Sequence, residues 1–124
     1  MKLNSVASVV YYVSDLDATV KFYTDLGFTA GPRKENFASV RLNWFWVEFY
    51  SQKAPDGPAM GQQMHVGGEG AFLGIKVDDA VEFHAGLIAK GLQPESEPQV
   101  KADGKTEFVL KDPDGYRLLF FSKK

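Results

Sequence analysis

The sequence LKDPDGYRLLFF, which runs from Leu110 to Phe121, contains the turn that decides how the end of this chain folds. Asp112-Pro113-Asp114-Gly115 separates two apolar runs, and Asp, Pro and Gly favour tight turns because each suits a different turn position. We therefore expect a strand to reverse here and to pair with the strand that follows it. The returning strand, Tyr116–Phe121, contains no acid, histidine or thiol, so its role is not obvious from its chemistry.

The first half of the chain predicts a strand, a helix and three more strands. Residues 6–13 are β-branched and aromatic, which is typical of a strand. Ser14 and Asp15 can cap a helix, and Gly27 can end it. The apolar residues at helical spacing between them are Leu16, Val20, Tyr23 and Leu26. Strand-like runs follow at residues 28–32, 37–43 and 44–50.

The second half repeats this order. Residues 71–77 predict a strand, Asp78 and Asp79 can cap a helix, and Gly91 can end it. The apolar stripe of this helix is predicted to contain Ala80, Phe83, His84, Leu87 and Ile88. Strands are predicted at residues 99–102, 106–110 and 116–121, and Asp103-Gly104 is a hairpin signal between the first two of them.

The repeat indicates two copies of one βαβββ unit that share a surface. We predict an α+β fold and a single domain over residues 1–124, made of a module at 5–50 and a module at 71–122. The polar, Gly- and Pro-rich residues 51–70 join the modules as a linker or flap. We expect this segment to be mobile and able to close over a ligand.

The composition excludes several classes of protein. The net charge of −2 gives no reason to expect binding to nucleic acid or to an anionic membrane. The absence of cysteine removes disulfides, thiolate metal sites and cysteine nucleophiles, and fits a cytoplasmic location. No apolar run is long enough to cross a bilayer, and the N-terminal residues do not have the pattern of a signal peptide.

Several motifs together resemble the vicinal oxygen chelate (VOC) superfamily, which includes glyoxalases, bleomycin-resistance proteins and extradiol dioxygenases. The motifs are Val13-Ser14-Asp15-Leu16, Phe22-Tyr23, Leu26-Gly27-Phe28 and Asp112-Pro113-Asp114-Gly115-Tyr116. The resemblance implies two βαβββ modules whose mixed β-sheet curls around a cavity, with helices outside. It also implies a homodimer.

The resemblance further implies four metal-ligand positions, one on each of four cavity strands. In this sequence the four positions hold Ser8, Glu48, Phe72 and Leu119. Phe72 and Leu119 have no metal-binding atom, and one carboxylate with a serine does not hold a divalent metal well. We therefore predict no metal and no other cofactor. A pair of Glu48 with His65 of the flap is a minor alternative.

Strand alternation predicts which other residues face the cavity, because every second side chain lies on the same side of a strand. The predicted ligand-binding residues are Ser8, Val10, Tyr12, Trp46, Glu48, Tyr50, His65, Phe72, Lys76, Arg117, Leu119 and Phe121. The set is mostly aromatic and includes one carboxylate, which suits a flat or cationic ligand. The aromatic residues could instead fill a collapsed core, and Glu48 could simply pair with Lys76 or Arg117.

Two functions are compatible with these residues. The first is metal-independent binding or sequestration of a bulky aromatic, cationic small molecule, as in the antibiotic-resistance branch that the chain resembles. The second is an enzyme that acts on a small organic substrate, with Glu48 as general base and Arg117 or Lys76 holding an anionic group. A dimeric module with a vestigial cavity is a third possibility.

Overall fold

The computed structural model describes residues 1–123. The chain divides into two compact units, Met1–Gly67 and a second unit that begins at Gly68. Each unit has the predicted order of strand, helix and three strands, and the fold is α+β. The first unit contains β1 (Ser8–Val13), α1 (Leu16–Leu26), β2 (Thr29–Ala30), β3 (Phe37–Leu42) and β4 (Phe45–Ser51). The second contains β5 (Phe72–Lys76), α2 (Ala80–Ala89), β6 (Gln99–Val100), β7 (Thr106–Lys111) and β8 (Arg117–Ser122).

Each unit forms a four-stranded mixed sheet with the same topology. The strand orders are β1-β4-β3-β2 and β5-β8-β7-β6. In each sheet the strand before the helix pairs in parallel with the last strand of the unit, and the other pairs are antiparallel. The helix is the crossover connection that a parallel pair requires. It packs on one face of its own sheet and leaves the other face open.

Both helices begin at the predicted aspartate caps. The Asp15 carboxylate accepts a hydrogen bond from the Ala18 amide at 3.0 Å, and the Asp79 carboxylate accepts one from the Glu82 amide at 3.1 Å. Each bond satisfies an amide that has no partner within the helix. Helix α1 ends at Gly27, whose φ of 122° lies in the left-handed region that side chains disfavour.

The turn of the opening stretch is held by the side chain of Asp112. This buried carboxylate accepts hydrogen bonds from the amides of Asp114 at 3.0 Å and Tyr116 at 2.9 Å. The backbone amide of Asp112 also donates to the Tyr116 carbonyl at 2.8 Å. These bonds fix the register in which Lys111 of β7 lies opposite Arg117 of β8.

Each sheet buries its helix-facing side in a separate apolar core. In the first unit, the ring of Tyr23 on α1 lies 5.1 Å from the ring of Phe49 on β4. In the second unit, the ring of Phe83 on α2 lies 4.8 Å from that of Phe120 on β8. Fully buried apolar side chains of these cores include Val13, Val40, Val47, Phe108, Leu110 and Leu118.

Some boundaries differ from the predicted ones. β1 begins at Ser8 instead of residue 6, and β2 and β6 are reduced to two residues each. Ile88 was predicted to lie on the buried stripe of α2, but its side chain is 51% exposed because the sheet covers only the stripe around His84 and Leu87. Among the described helices, neither is long and apolar enough to cross a membrane.

Candidate functional site

The open face of the first sheet carries polar and aromatic side chains in three rows. The pairing register of β1, β4 and β3 places Glu48 in the middle row, between Val10 and Ser39. The row on one side contains Ser8, Trp46 and Arg41, and the row on the other contains Tyr12, Tyr50 and Phe37. All nine residues share one face because they alternate with the buried residues that pack against α1. We refer to these nine residues as the open face of the first unit.

Glu48 is the acidic residue of this open face. Its side chain is half-buried, and the hydroxyl of Ser8 donates a hydrogen bond to its Oε1 atom at 3.0 Å. Within the described residues of its own unit, Glu48 has no lysine, arginine or histidine partner. A half-buried carboxylate with one hydroxyl donor retains much of its capacity to accept further hydrogen bonds or to attract a cation.

A loop covers the row of Tyr12, Tyr50 and Phe37. The amide of Ala59 donates a hydrogen bond to the Tyr12 hydroxyl at 2.7 Å, and Tyr12 is only 8% exposed. Gly57 approaches the same hydroxyl so closely that a β-carbon there would lie 2.5 Å from it. The loop is closed at its base by two hydrogen bonds between Gln52 and Met64. We call residues 52–64 the covering loop.

Tyr50 lies between Glu48 and the covering loop. Its ring lies 5.1 Å from the ring of Phe37 and 6.0 Å from that of Tyr12. Burial raises the pKa of the Tyr50 phenol, and the nearby carboxylates of Glu48 and Asp56 raise it further. The phenol therefore stays neutral at physiological pH and presents an aromatic ring and a hydroxyl next to the Glu48 carboxylate.

At the opposite end of the open face, Arg41 covers Trp46. The guanidinium carbon of Arg41 lies 5.7 Å from the centre of the Trp46 ring, in the range of a cation–π interaction. Arg41 also donates a hydrogen bond to the Asn43 carbonyl at 2.8 Å. The Trp46 ring also lies against Gly31, where a β-carbon would overlap it. The indole is thus held in place, and one of its faces is occupied by a cation of the chain itself.

The second unit has its own open face, with a different composition. Its rows are Phe72, Arg117 and Lys111, then Gly74, Leu119 and Val109, then Lys76, Phe121 and Glu107. Phe72 is 51% exposed, and Lys76 is exposed. The Arg117 Nε atom donates to the Glu95 carboxylate at 3.0 Å, so this guanidinium is already paired within its own unit.

The structure brings some of the predicted site residues together and leaves others apart. Ser8 and Glu48 are hydrogen bonded, and Val10, Tyr12, Trp46 and Tyr50 share their face. His65 is exposed and follows the last residue of the covering loop, with no hydrogen-bond partner among the described residues. His84 is buried in the second unit, where Nε2 lies 3.1 Å from the Ser96 carbonyl, so it has a structural role.

The predicted set omitted three residues of β3 and three of β7 that lie on the open faces. Phe37, Ser39 and Arg41 lie beside β4, and Glu107, Val109 and Lys111 lie beside β8. The alternation of polar and apolar residues in "FASVRL" and "TEFVLK" carried the signal.

The four positions at which the resemblance implies metal ligands do not fit a metal. In the first unit Ser8 and Glu48 provide one hydroxyl and one carboxylate, and these bind each other. In the second unit Phe72 and Leu119 provide no ligand atom. Residues 1–123 contain no group of three or more His, Cys, Asp or Glu side chains that could hold a metal ion. The donor set is therefore too small for the divalent ions of the family's enzymes.

A groove of about 310 Å³ lies between α1 and strands β2 and β3, and Ser39 of the open face is one of the residues that line it. Its floor is apolar, and the Arg33–Asp17 ion pair, 3.1 Å long, lies at its rim. None of the predicted ligand-binding residues lines this groove. The half-buried carboxylate of Glu48 and the aromatic rings around it lie on the open face.

Comparison with known proteins identifies the family. Residues 4–120 match the family described as "Glyoxalase/Bleomycin resistance protein/Dioxygenase superfamily". Because this match covers nearly the whole chain, the chain belongs to that superfamily, as the sequence motifs predicted. A curated relative, the "Probable lactoylglutathione lyase, chloroplastic" of Arabidopsis thaliana, is 33% identical over 122 aligned residues. The alignment covers 89% of this chain but only 33% of the relative, so the chain spans about a third of that protein.

Solved structures of the same superfamily share the fold. A glyoxalase/bleomycin resistance protein/dioxygenase from Nocardioides has a TM-score of 0.79 at 19% identity, with 98% of this chain and 85% of that chain covered. The lactoylglutathione lyase from Agrobacterium tumefaciens has a TM-score of 0.76 at 16% identity, with 98% and 96% covered. A family enzyme from Burkholderia phytofirmans PsJN has a TM-score of 0.79 at 21% identity, with 95% and 98% covered.

Proposed function

We propose that this protein binds or sequesters a bulky aromatic, cationic small molecule without a metal ion, and that the open face of the first unit provides the binding groups. The observation that carries the proposal is the environment of Glu48. Its carboxylate lies among aromatic side chains and has one hydroxyl partner, Ser8. A metal-binding role is disfavoured by the small donor set, so the carboxylate is available for an organic cation.

The physical basis of the proposal is charge recognition in a partly dehydrated site. Binding a cation at Glu48 would pair a carboxylate that is half-buried and has no ion-pair partner among the described residues of its unit. A ring of the ligand could at the same time contact Tyr50, whose neutral phenol sits next to that carboxylate. Apolar walls with a few polar groups that set orientation are typical of small-molecule sites.

A thermal-shift screen tests this proposal. The purified protein is screened against flat aromatic cations, glycopeptide drugs and anionic controls, with and without EDTA. A ligand at 100 times its dissociation constant adds about 2.7 kcal/mol of stability, which raises the melting temperature of a domain of this size by several degrees. We expect a shift for cations that EDTA does not change.

Matched variants make the screen specific for the site. Glu48→Gln removes the charge but keeps the shape of the side chain, and we expect it to abolish the cation-dependent shift. Glu35→Gln removes an equivalent charge from an exposed position of the same unit and serves as the control. A shift that survives Glu48→Gln, or that requires a metal removable by EDTA, would contradict the proposal.

The second candidate function is an enzyme with Glu48 as general base. The names of the Arabidopsis relative and the Agrobacterium structure, both lactoylglutathione lyases, favour this alternative. Arg117 is a poor candidate for holding the substrate's anionic group because it already binds Glu95, which leaves Lys76. Turnover that is lost in Glu48→Gln while binding remains would favour the enzyme, and saturable binding without turnover would favour the binding protein.

The oligomeric state, the other ligand contacts and the cellular role are also proposals. We propose a homodimer, which a monomer in sedimentation velocity at micromolar concentration would contradict. We also propose that Phe72, Leu119 and Phe121 contribute to binding the same ligand and that His65 takes part in binding it. We further propose a cytoplasmic location and a role in antibiotic resistance. These proposals rest on the resemblance and on composition.

A further inference from the structure

The open face of the first unit carries a cation as well as an acid. Arg41 and Glu48 lie on adjacent antiparallel strands, with Glu48 opposite Ser39 and Arg41 two residues farther along β3. They are therefore diagonal neighbours on one face, and such positions lie about 7–8 Å apart. Trp46 lies opposite Arg41 in the pairing register. It precedes Glu48 by two residues on β4 and lies on the same face.

The two charges do not neutralise each other in this structure. Arg41 is directed over the Trp46 ring, 5.7 Å from its centre, and donates to the Asn43 carbonyl. Glu48 accepts its hydrogen bond from Ser8. Because the guanidinium has five N–H donors and one of them is used here, it retains donors for an anionic group.

This arrangement has a consequence for the charge of the ligand. A ligand that carries only a positive charge gains from Glu48 but is repelled by Arg41, which also occupies the cation–π position over Trp46. A ligand with a second, negative group at the other end of its aromatic body pairs with both residues. Charge-assisted hydrogen bonds of a guanidinium with a carboxylate or phosphate are among the stronger ones in proteins.

We infer that the ligand class is zwitterionic: an aromatic body with a cationic group at Glu48 and an anionic group at Arg41. This inference rests on the proposed function and narrows it, with Arg41 as a specificity-determining residue. Arg41 would make the protein bind a zwitterion in preference to a cation of the same shape.

Three probes built on one aromatic scaffold test the inference. The probes are 4-(aminomethyl)benzoate, which is a flat zwitterion, its carboxamide, which is a cation, and its N-acetyl derivative, which is an anion. Binding is followed through the indole N–H resonance of Trp46 in ¹⁵N-labelled full-length protein. The exposed Trp44 provides an internal reference for non-specific effects.

We expect the zwitterion to bind about tenfold more tightly than the carboxamide, which corresponds to one modest charge-assisted contact. Arg41→Gln should remove this difference, and Glu48→Gln should remove the difference between the zwitterion and the anion. Lys21→Gln serves as the control because it removes an exposed positive charge from α1, on the other side of the sheet. It should leave all three affinities unchanged.

The outcomes separate this inference from the proposed function. If the carboxamide binds as tightly as the zwitterion, or if Arg41→Gln leaves their ratio unchanged, the inference is wrong while cation binding at Glu48 stands. If none of the three probes shifts the Trp46 resonance relative to Trp44, the result contradicts the proposed function and this inference with it.

Discussion

Tyr12→Phe tests how the covering loop is attached to the open face. The substitution removes one oxygen atom, which accepts a hydrogen bond from the Ala59 amide at 2.7 Å. The bond links residues 47 positions apart in sequence, and Tyr12 is 8% exposed, so water does not readily replace it. A net contribution of about 1 kcal/mol is expected for such a bond, and more if the amide stays shielded from water.

Two measurements follow this change. The melting temperature should fall by roughly 4 °C for about 1 kcal/mol in a protein of this size. Hydrogen exchange should report the local effect, because the protection of the Ala59 amide should fall about fivefold for the same free energy. Exchange at amides of the α1 core, such as that of Tyr23, should change less if the loop opens locally.

Tyr50→Phe is the matched control for this experiment. Tyr50 lies on the same face and contacts Tyr12, but its hydroxyl has no hydrogen-bond partner among the described residues. We therefore expect little change in stability at neutral pH. Unchanged protection of Ala59 in Tyr12→Phe, or an equal loss in both variants, would refute the idea that this hydrogen bond anchors the loop.

Two further predictions concern the pH dependence and the turn. Because the pKa of Tyr50 is raised, the folded state holds the phenol proton more tightly than the unfolded state does. The contribution of this proton to the free energy of unfolding is therefore complete below pH about 10 and is lost as the pH rises through the folded pKa. Urea unfolding at pH 8 and pH 11 should show a smaller loss of stability at the higher pH in Tyr50→Phe than in the wild type, and an identical loss would contradict the assignment. Asp112→Ala leaves the amides of Asp114 and Tyr116 without their acceptor and should cost about 1–3 kcal/mol in the same assay, whereas Asp112→Asn, which keeps one acceptor oxygen, should cost less.

The local signals of the sequence predicted the elements well because each rests on short-range chemistry. Asp15 and Asp79 cap their helices through bonds to amides three residues away, and Gly27 ends α1 in a conformation that glycine adopts at low cost. The turn at Asp112 is equally local, since its carboxylate binds the next two available amides. These features depend on neighbours in sequence and were therefore predictable.

The lengths of the short strands were less predictable because pairing sets them. β2 pairs with β3 at Thr29 and Ala30 only, although the predicted strand covered residues 28–32. Similarly, Ile88 continues the apolar periodicity of α2 but is exposed, because the sheet beneath the helix does not extend to it. Both features are decided by tertiary contacts that periodicity does not encode.

The same distinction explains the site. The family resemblance assigned Ser8 and Glu48 to two cavity strands, and the structure joins the two side chains by a hydrogen bond. The position of Arg41 beside Trp46 depends on the register of β3 against β4, which no local pattern specifies. Arg117 was predicted to hold an anionic group of a ligand or to pair with Glu48, and its observed pairing with Glu95 depends on the loop before β6.

The strand that follows the Asp112–Gly115 turn, β8, has a structural role in the second sheet. β8 lies in the middle of the second sheet, between β5 and β7, and its residues Leu118 and Phe120 are buried in the core. On its open side it carries Leu119 where the family's enzymes place a metal ligand. The strand is therefore a structural element of the sheet, and the position at which the resemblance implies a metal ligand holds an apolar side chain.

The most direct test of the central claim is a calorimetric titration of an aromatic cation from the thermal-shift screen into EDTA-treated protein. The wild-type protein and Glu35→Gln should bind it with the same affinity, and Glu48→Gln should bind it at least about tenfold more weakly, because the charge-assisted contact is lost. Equal binding by wild type and Glu48→Gln would contradict the account. Loss of wild-type binding on EDTA treatment, with recovery when a divalent metal is added, would contradict it as well.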